Sequence, residues 1–223
     1  IAFIMPQVMR AAPTVTAGDL KSDDEQSTTD ASTVSAIIAG SSNCDRMRIQ
    51  LTGGSYNAEQ IRKLIFKSSI KNLSPMTEAL LHISARSDHL ETLIKPNLRK
   101  GIWVICDRFR DSTIAYQGYG NGLKTNVLEI MQNSIFNNFH ADLTIILDMD
   151  ITKCFKRIKK RKSGIQKYEK MKIEFHRKVR AGFLKIAKEN NKRCHIINAD
   201  QSKNDINEKI IQIINKKFRT KFE

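Results

Sequence analysis

A chain of 223 residues, 40% of them hydrophobic, can bury a full core in one domain, and its net charge of +15 points to a polyanionic partner: nucleotide phosphates, nucleic acid or an acidic surface. No apolar run approaches the ~20 residues of a membrane span. The four cysteines, at positions 44, 106, 154 and 194, lack the close spacing of a zinc site or a disulfide framework, which leaves a cytoplasmic protein with reduced thiols.

Residues 1–45 stand apart. They carry two basic and six acidic groups, and "GDLKSDDEQSTTDASTVSA" shows no helical or strand period, so the segment reads as atypical, polar and without defined structure. From residue 46 the pattern becomes regular. "NAEQIRKLIF" places Ile61, Leu64 and Ile65 on one face of a short helix. A long helix follows from Pro75, with Ser74 as its cap and Met76, Leu80, Ile83, Leu90 and Ile94 as its apolar stripe. His82, Arg86 and His89 share a different face.

"GIWVIC" is a continuous apolar run, a buried strand. "CDRFRDSTIAYQGYGNG" follows and reads as a ligand loop. Asp107 can hold a hydrated Mg2+, Arg108 can clamp a phosphate through two hydrogen bonds, and Ser112, Thr113, Tyr116 and Gln117 offer hydroxyls, a ring and an amide. Gly118, Gly120 and Gly122 would let backbone approach a ligand. An amphipathic helix ("TNVLEIMQNSIFNNF") leads to a second strand, "LTIIL", ending in Asp148 and Asp150. Then come a helix, a basic loop around Gly164 and a second helix, the strand "CHIINA", and a last helix with Asp205 and Glu208 spaced as a capping box. Residues 151–223 hold 23 basic and seven acidic groups, so the positive charge is concentrated there.

Strands alternating with helices predict an α/β three-layer sandwich, a parallel sheet flanked by helices, with ligands beyond the carboxyl ends of its strands. Asp107, Arg108, Asp148 and Asp150 fall at those ends.

The stretch "DRFRDSTIAYQGYG" resembles the signature of the thymidylate kinase family, bacterial type. "MTEALLHISARSDHLETLIKPNLRKG", "GGSYNAEQIRKL", "TIILDMDITKCFKRI" and "KYEKMKIEFHRKVRAGFLKIA" resemble flanking segments of the same family, and together they cover residues 51–214. The resemblance implies a P-loop nucleotide kinase-like fold and transfer of a phosphoryl group from ATP to dTMP with Mg2+, giving dTDP, in a homodimer. It assigns Asp107 and Arg108 to catalysis, with Asp107 also holding Mg2+ or its waters. It assigns His82, Arg86, Thr113, Tyr116 and Gln117 to the dTMP site, with His82 standing where the family has a stacking aromatic. Arg157 and Arg161 fall to a lid over ATP at about residues 157–168 of a kinase-like domain spanning 46–223.

Besides His82, two departures accompany it. No G-x-x-x-x-G-K-[ST] phosphate loop exists and Gln50-Leu51-Thr52 replaces Arg-Glu-Pro before the double glycine, both in one block that ends abruptly near residue 52. A shifted or misjoined 5′ reading frame would produce that block. So would loss of the ATP site, which leaves a dTMP-binding homologue without turnover as the alternative. A basic nucleic-acid-binding protein is disfavoured, because the "KRIKKRKSGIQK" run lacks the interleaved aromatics of single-strand binders.

Overall fold

The computed structural model describes residues 6–9, 47–50, 55–66, 73–160 and 167–221. Five strands form one sheet: β1 Pro6–Met9, β2 Met47–Gln50, β3 Trp103–Asp107, β4 Leu143–Asp148 and β5 Cys194–Asn198, in the order β2-β3-β1-β4-β5. The helices are α1 Tyr56–Phe66, α2 Pro75–His89, α3 Lys95–Arg99, α4 Arg110–Thr113, α5 Thr125–Ile135, α6 Ile151–Lys160, α7 Ile173–Glu189 and α8 Lys203–Phe218. A π-helical turn, Leu90–Ile94, joins α2 to α3, and a second, Ile114–Gly120, continues α4.

Helices flank the sheet on both faces, as the alternation of elements predicts. The faces follow the strand period of two. Val8, Ile105, Leu143 and Ile145 point to one side and pack under Ile210 and Ile214 of α8. Met9, Val104 and Cys106 point to the other and meet Ile83, Leu90 and Ile94 from the long helical run. Ile146 joins that second side farther along, against Val179 and Phe183 of α7. Trp103 and Phe218 close the α8 side edge to face, 4.9 Å between ring centroids.

The sheet is mixed, which corrects the expectation of an all-parallel one. β2–β3 and β4–β5 pair in parallel, but β1 runs antiparallel to both β3 and β4. Either direction satisfies a strand's backbone groups. The slot between β3 and β4 needs residues that bury on opposite faces, and Val8 and Met9, each 1% exposed, supply them. Pro6 sits at the first strand position, where its missing N–H costs least. The central strand therefore comes from inside the segment that composition set apart; "GDLKSDDEQSTTDASTVSA" lies outside the described residues.

Two smaller expectations also shift. Leu64 is 41% exposed, and Ala58 and Ile65 form the inward face of α1 instead. The capping box of α8 is made by Ser202 and Asp205, one turn earlier than the Asp205–Glu208 pair, because the Ser202 hydroxyl accepts from Asp205 N and Asp205 accepts from Ser202 N. Ser74 caps α2 as expected, accepting from Thr77 N at 3.1 Å. Among the described residues no helix is long and apolar enough to cross a membrane.

Two interior histidines couple stability to pH. His89 is 2% exposed, and burial, with Arg86 nearby, pushes its pKa down to about 4. His176 lies between the rings of Phe155 and Phe175, 5.3 and 5.4 Å away, and burial pushes it down to about 4 as well. The ordinary value is 6.5. Between about 6.5 and 4 the unfolded chain binds protons that the folded chain refuses, so stability is complete above that window and falls as pH drops through it. Urea midpoints at about pH 7 and pH 4.5 will show the loss, and replacing both histidines by glutamine will flatten that part of the profile.

Candidate functional site

The site grows from the carboxyl end of β3. The strand ends at Asp107, and Arg108 turns the chain with φ 66°, a left-handed conformation for a residue with a Cβ. Such positions are costly and cluster where geometry serves function. The turn lays the Arg108 guanidinium over the Tyr116 ring, 4.9 Å from its centroid. Arg108, next to Asp107 in the chain, is thus brought to Tyr116.

The segment after Arg108 is helical, not a loop. α4 and the π turn Ile114–Gly120 bury Thr113, Tyr116 and Gln117 almost completely. π turns of this kind recur at functional sites, because the extra residue re-aims side chains. The glycines serve packing here and not ligand approach. A Cβ on Gly120 would lie 2.6 Å from the Phe175 ring and 2.8 Å from Val179, and one on Gly118 would lie 2.9 Å from Thr125. The converse holds at Gly182 of α7, where a Cβ would press into the Tyr119 ring at 2.6 Å. Gly122, at φ +81° with open space around it, ends the turn.

Arg110 and Asp111, from the same "DRFRD" run, face the interior. Arg110 donates to the carbonyls of Gln132 and Phe139 and to Asn133. Asp111 accepts two hydrogen bonds from Arg193, at 2.7 and 2.8 Å.

α2 supplies the opposite wall. Arg86 is buried, and its Nη1 donates to Thr113 Oγ1, which joins α2 to α4. Its Nε has no hydrogen-bond partner among the described residues, and burial lowers the guanidinium pKa to about 10. A buried cation with donor capacity to spare is an anion site in waiting. His82, one turn earlier, packs against Tyr168 with ring centroids 6.5 Å apart and planes 28° from parallel.

Sequence reading missed Glu78, Lys167 and Tyr168. Glu78 Oε1 accepts from Gln117 Nε2 at 2.9 Å and from the Tyr168 hydroxyl at 2.6 Å, and Glu78 Oε2 pairs with Lys167 at 2.5 Å. Glu78 was findable, since it stands four residues before His82 on the same helix face. Lys167 and Tyr168 carried no such signal, since their partners lie some ninety positions away in the chain.

At the neighbouring strand ends the acids are already committed. Asp148 accepts from Arg180 Nε at 2.6 Å and Nη2 at 2.8 Å. Asp150 begins α6 and accepts from Thr152 N at 2.9 Å. Arg157 is 57% exposed; its Nη1 donates to Ala199 O at 3.2 Å, and its Nη2 lies 3.7 Å from Asp200, so it sits beyond the end of β5. Arg161 lies outside the described residues. So do residues 10–46, where a phosphate loop would stand. No group of three or more metal-ligating side chains occurs among the described residues. A hydrated divalent cation needs only one or two carboxylates where phosphates complete its shell, and Asp107 is the carboxylate at the end of β3.

The thymidylate kinase family model matches residues 32–210. Among curated relatives, the thymidylate kinase of Wolbachia pipientis subsp. Culex pipiens is 41% identical over 167 residues, covering 74% of this chain and 78% of its own. That of Rhodopseudomonas palustris is 38% identical over 194 residues, 84% of each. The crystal structure of thymidylate kinase from Ehrlichia chaffeensis superposes with a TM-score of 0.65 at 30% identity, over 82% of this chain and 90% of that one.

Proposed function

The chain belongs to the thymidylate kinase family, and from that membership we propose how its residues carry the phosphorylation of dTMP to dTDP by ATP. The observation that carries the reading is the junction at Arg108. A guanidinium held by an aromatic ring, beside the Asp107 carboxylate and across from the buried Arg86, forms a cationic seat for phosphate at the end of a strand.

In this reading an oxygen of the dTMP phosphate attacks the γ-phosphorus of ATP, and the bond to the ADP oxygen breaks in line. Arg108 bridges the acceptor and donor phosphates and spreads the charge that builds on the moving group. Arg86 holds the dTMP phosphate region or base edge with the donor it has left over, while Thr113 keeps its guanidinium in place. Tyr116 crowds the sugar and favours deoxyribose, His82 stacks on the base, and Gln117 reads its edge. Arg157 belongs to the lid over ATP, to which the family resemblance also assigns Arg161. Asp107 would hold Mg2+ or its waters, and the ion would neutralise the phosphates of ATP. No covalent intermediate is required, because positioning and charge neutralisation suffice.

The kinase-like domain in this reading runs from residue 46 to 223 and works in the cytoplasm as a homodimer. Leu64, Leu80, Ile130 and Ile135, each more than 40% exposed on α1, α2 and α5, supply apolar surface for a partner copy. Light scattering after gel filtration will give twice the chain mass.

The deciding assay is ADP release from this chain with dTMP, ATP and Mg2+. Turnover is expected, and EDTA will abolish it. Binding of dTMP without ADP release would sink the reading in favour of a non-catalytic homologue.

A further inference from the structure

Glu78 has no part in the reaction as described, yet the inner end of the site is organised around it. Its side chain is 6% exposed, and a carboxylate so enclosed is tolerated only when paired and hydrogen-bonded. Lys167, Tyr168 and Gln117 provide those partners.

The direction of each hydrogen bond then follows from donor and acceptor capacity. An ionised carboxylate only accepts, so the Tyr168 hydroxyl spends its one proton on Glu78. Its oxygen must accept in its other two contacts, from Gln117 Nε2 at 3.1 Å and from His82 Nε2 at 2.9 Å. The Gln117 amide nitrogen thereby commits both protons, one to Glu78 and one to Tyr168, and its carbonyl oxygen is the group left for a ligand. The His82 proton sits on Nε2. Burial, with Arg86, Lys167 and Arg108 adding to it, lowers the pKa of that ring well below its ordinary value, so Nδ1 is a bare acceptor.

We infer that Glu78 is a positioning residue that fixes the hydrogen-bond polarity of the base subsite: through its bonds to Gln117 and Tyr168 it leaves the Gln117 carbonyl as the acceptor at the base edge and holds the ring of His82 that stacks on the base. The subsite so set suits a base edge that offers an N–H, the imide of thymine or uracil. This rests on the functional reading above, which places the base against His82 and Gln117. The phosphate seat at Arg108 and Thr113 has no contact with Glu78 in this network, so the two ends of the ligand should respond separately.

The test compares two ligands on three proteins. Titration calorimetry measures dTMP and 2-deoxyribose 5-phosphate, which has no base, against the wild type, Glu78→Ala and Tyr168→Phe. Both variants are expected to lose roughly tenfold in dTMP affinity while binding 2-deoxyribose 5-phosphate as the wild type does. Tyr168→Phe keeps the ring and its packing, so it decides the matter even where Glu78→Ala does not fold. Undiminished dTMP affinity in Tyr168→Phe, or an equal loss for both ligands, overturns the inference. A wild type that binds the sugar phosphate but gains nothing from the base overturns it together with the placement of the base. Normal ADP release alongside an equal loss for both ligands removes Glu78 alone.

Discussion

Arg108→Ala will lower kcat/KM for dTMP phosphorylation by roughly a thousandfold while leaving the fold intact. The size follows from what the side chain is asked to do. A charge that moves between two phosphates is neutralised by fixed groups, and the donor that bridges both contributes most in the transition state. Arg108 is placed for this by its backbone: φ 66° at the end of β3 directs the guanidinium onto Tyr116. Arg108→Lys will recover only part of the loss, because an ammonium lacks the planar fork that grips two phosphates. Steady-state kinetics with circular dichroism as the folding control make the comparison. Activity within about tenfold of wild type in Arg108→Ala would remove Arg108 from the phosphoryl-transfer step.

The second large effect is on stability. Arg193→Ala is expected to cost about 3–5 kcal/mol, because it strands the Asp111 carboxylate in the interior. Asp111 is 5% exposed, and Arg193 is its bidentate partner, with Thr144 Oγ1 also donating to Asp111 at 3.4 Å. The pair ties α4 to the start of β5 across β4 and so braces the helix that carries Thr113. Replacing both by alanine will restore part of the loss, since the penalty comes from the unpaired charge and not from the missing attraction. Urea unfolding of the two single variants and the double variant gives the cycle. A single-variant loss under about 1 kcal/mol would mean that water reaches Asp111 and compensates it.

Much of the architecture was legible because periods are local. The long helix from Pro75, the strands ending at Asp107, Asp148 and Asn198, and α5 to α8 follow from apolar spacing and from the Ser74 cap. Legibility failed where a partner lay far along the chain. β1 and β2 have four residues each, too few to show a period, and β1 is a strand only because β3 and β4 stand on either side of it. Within "DRFRD" the composition could not tell inward from outward: Asp107 and Arg108 stand at the end of β3, with Arg108 over Tyr116, whereas Arg110 and Asp111 are tied into the interior. The glycines of "QGYG" looked made for a ligand and are shaped by α7 and by Thr125. Glu78 drew no role from the sequence, because its partners Lys167 and Tyr168 stand some ninety positions away.

The position of β1 bears on the order in which this chain acquires its structure. Among the described strands, β3 and β4 do not pair with each other; each pairs with β1, through Val8 opposite Ile105 and Leu143. Among the described strands β1 comes first in the chain, and both of its partners stand far along it, whereas β2–β3 and β4–β5 pair in parallel without it. Contacts that distant are slow to form, because the chain between them loses its freedom before the pairing compensates. Without β1 the facing edges of β3 and β4 would be open, and open strand edges are sites for pairing with another molecule.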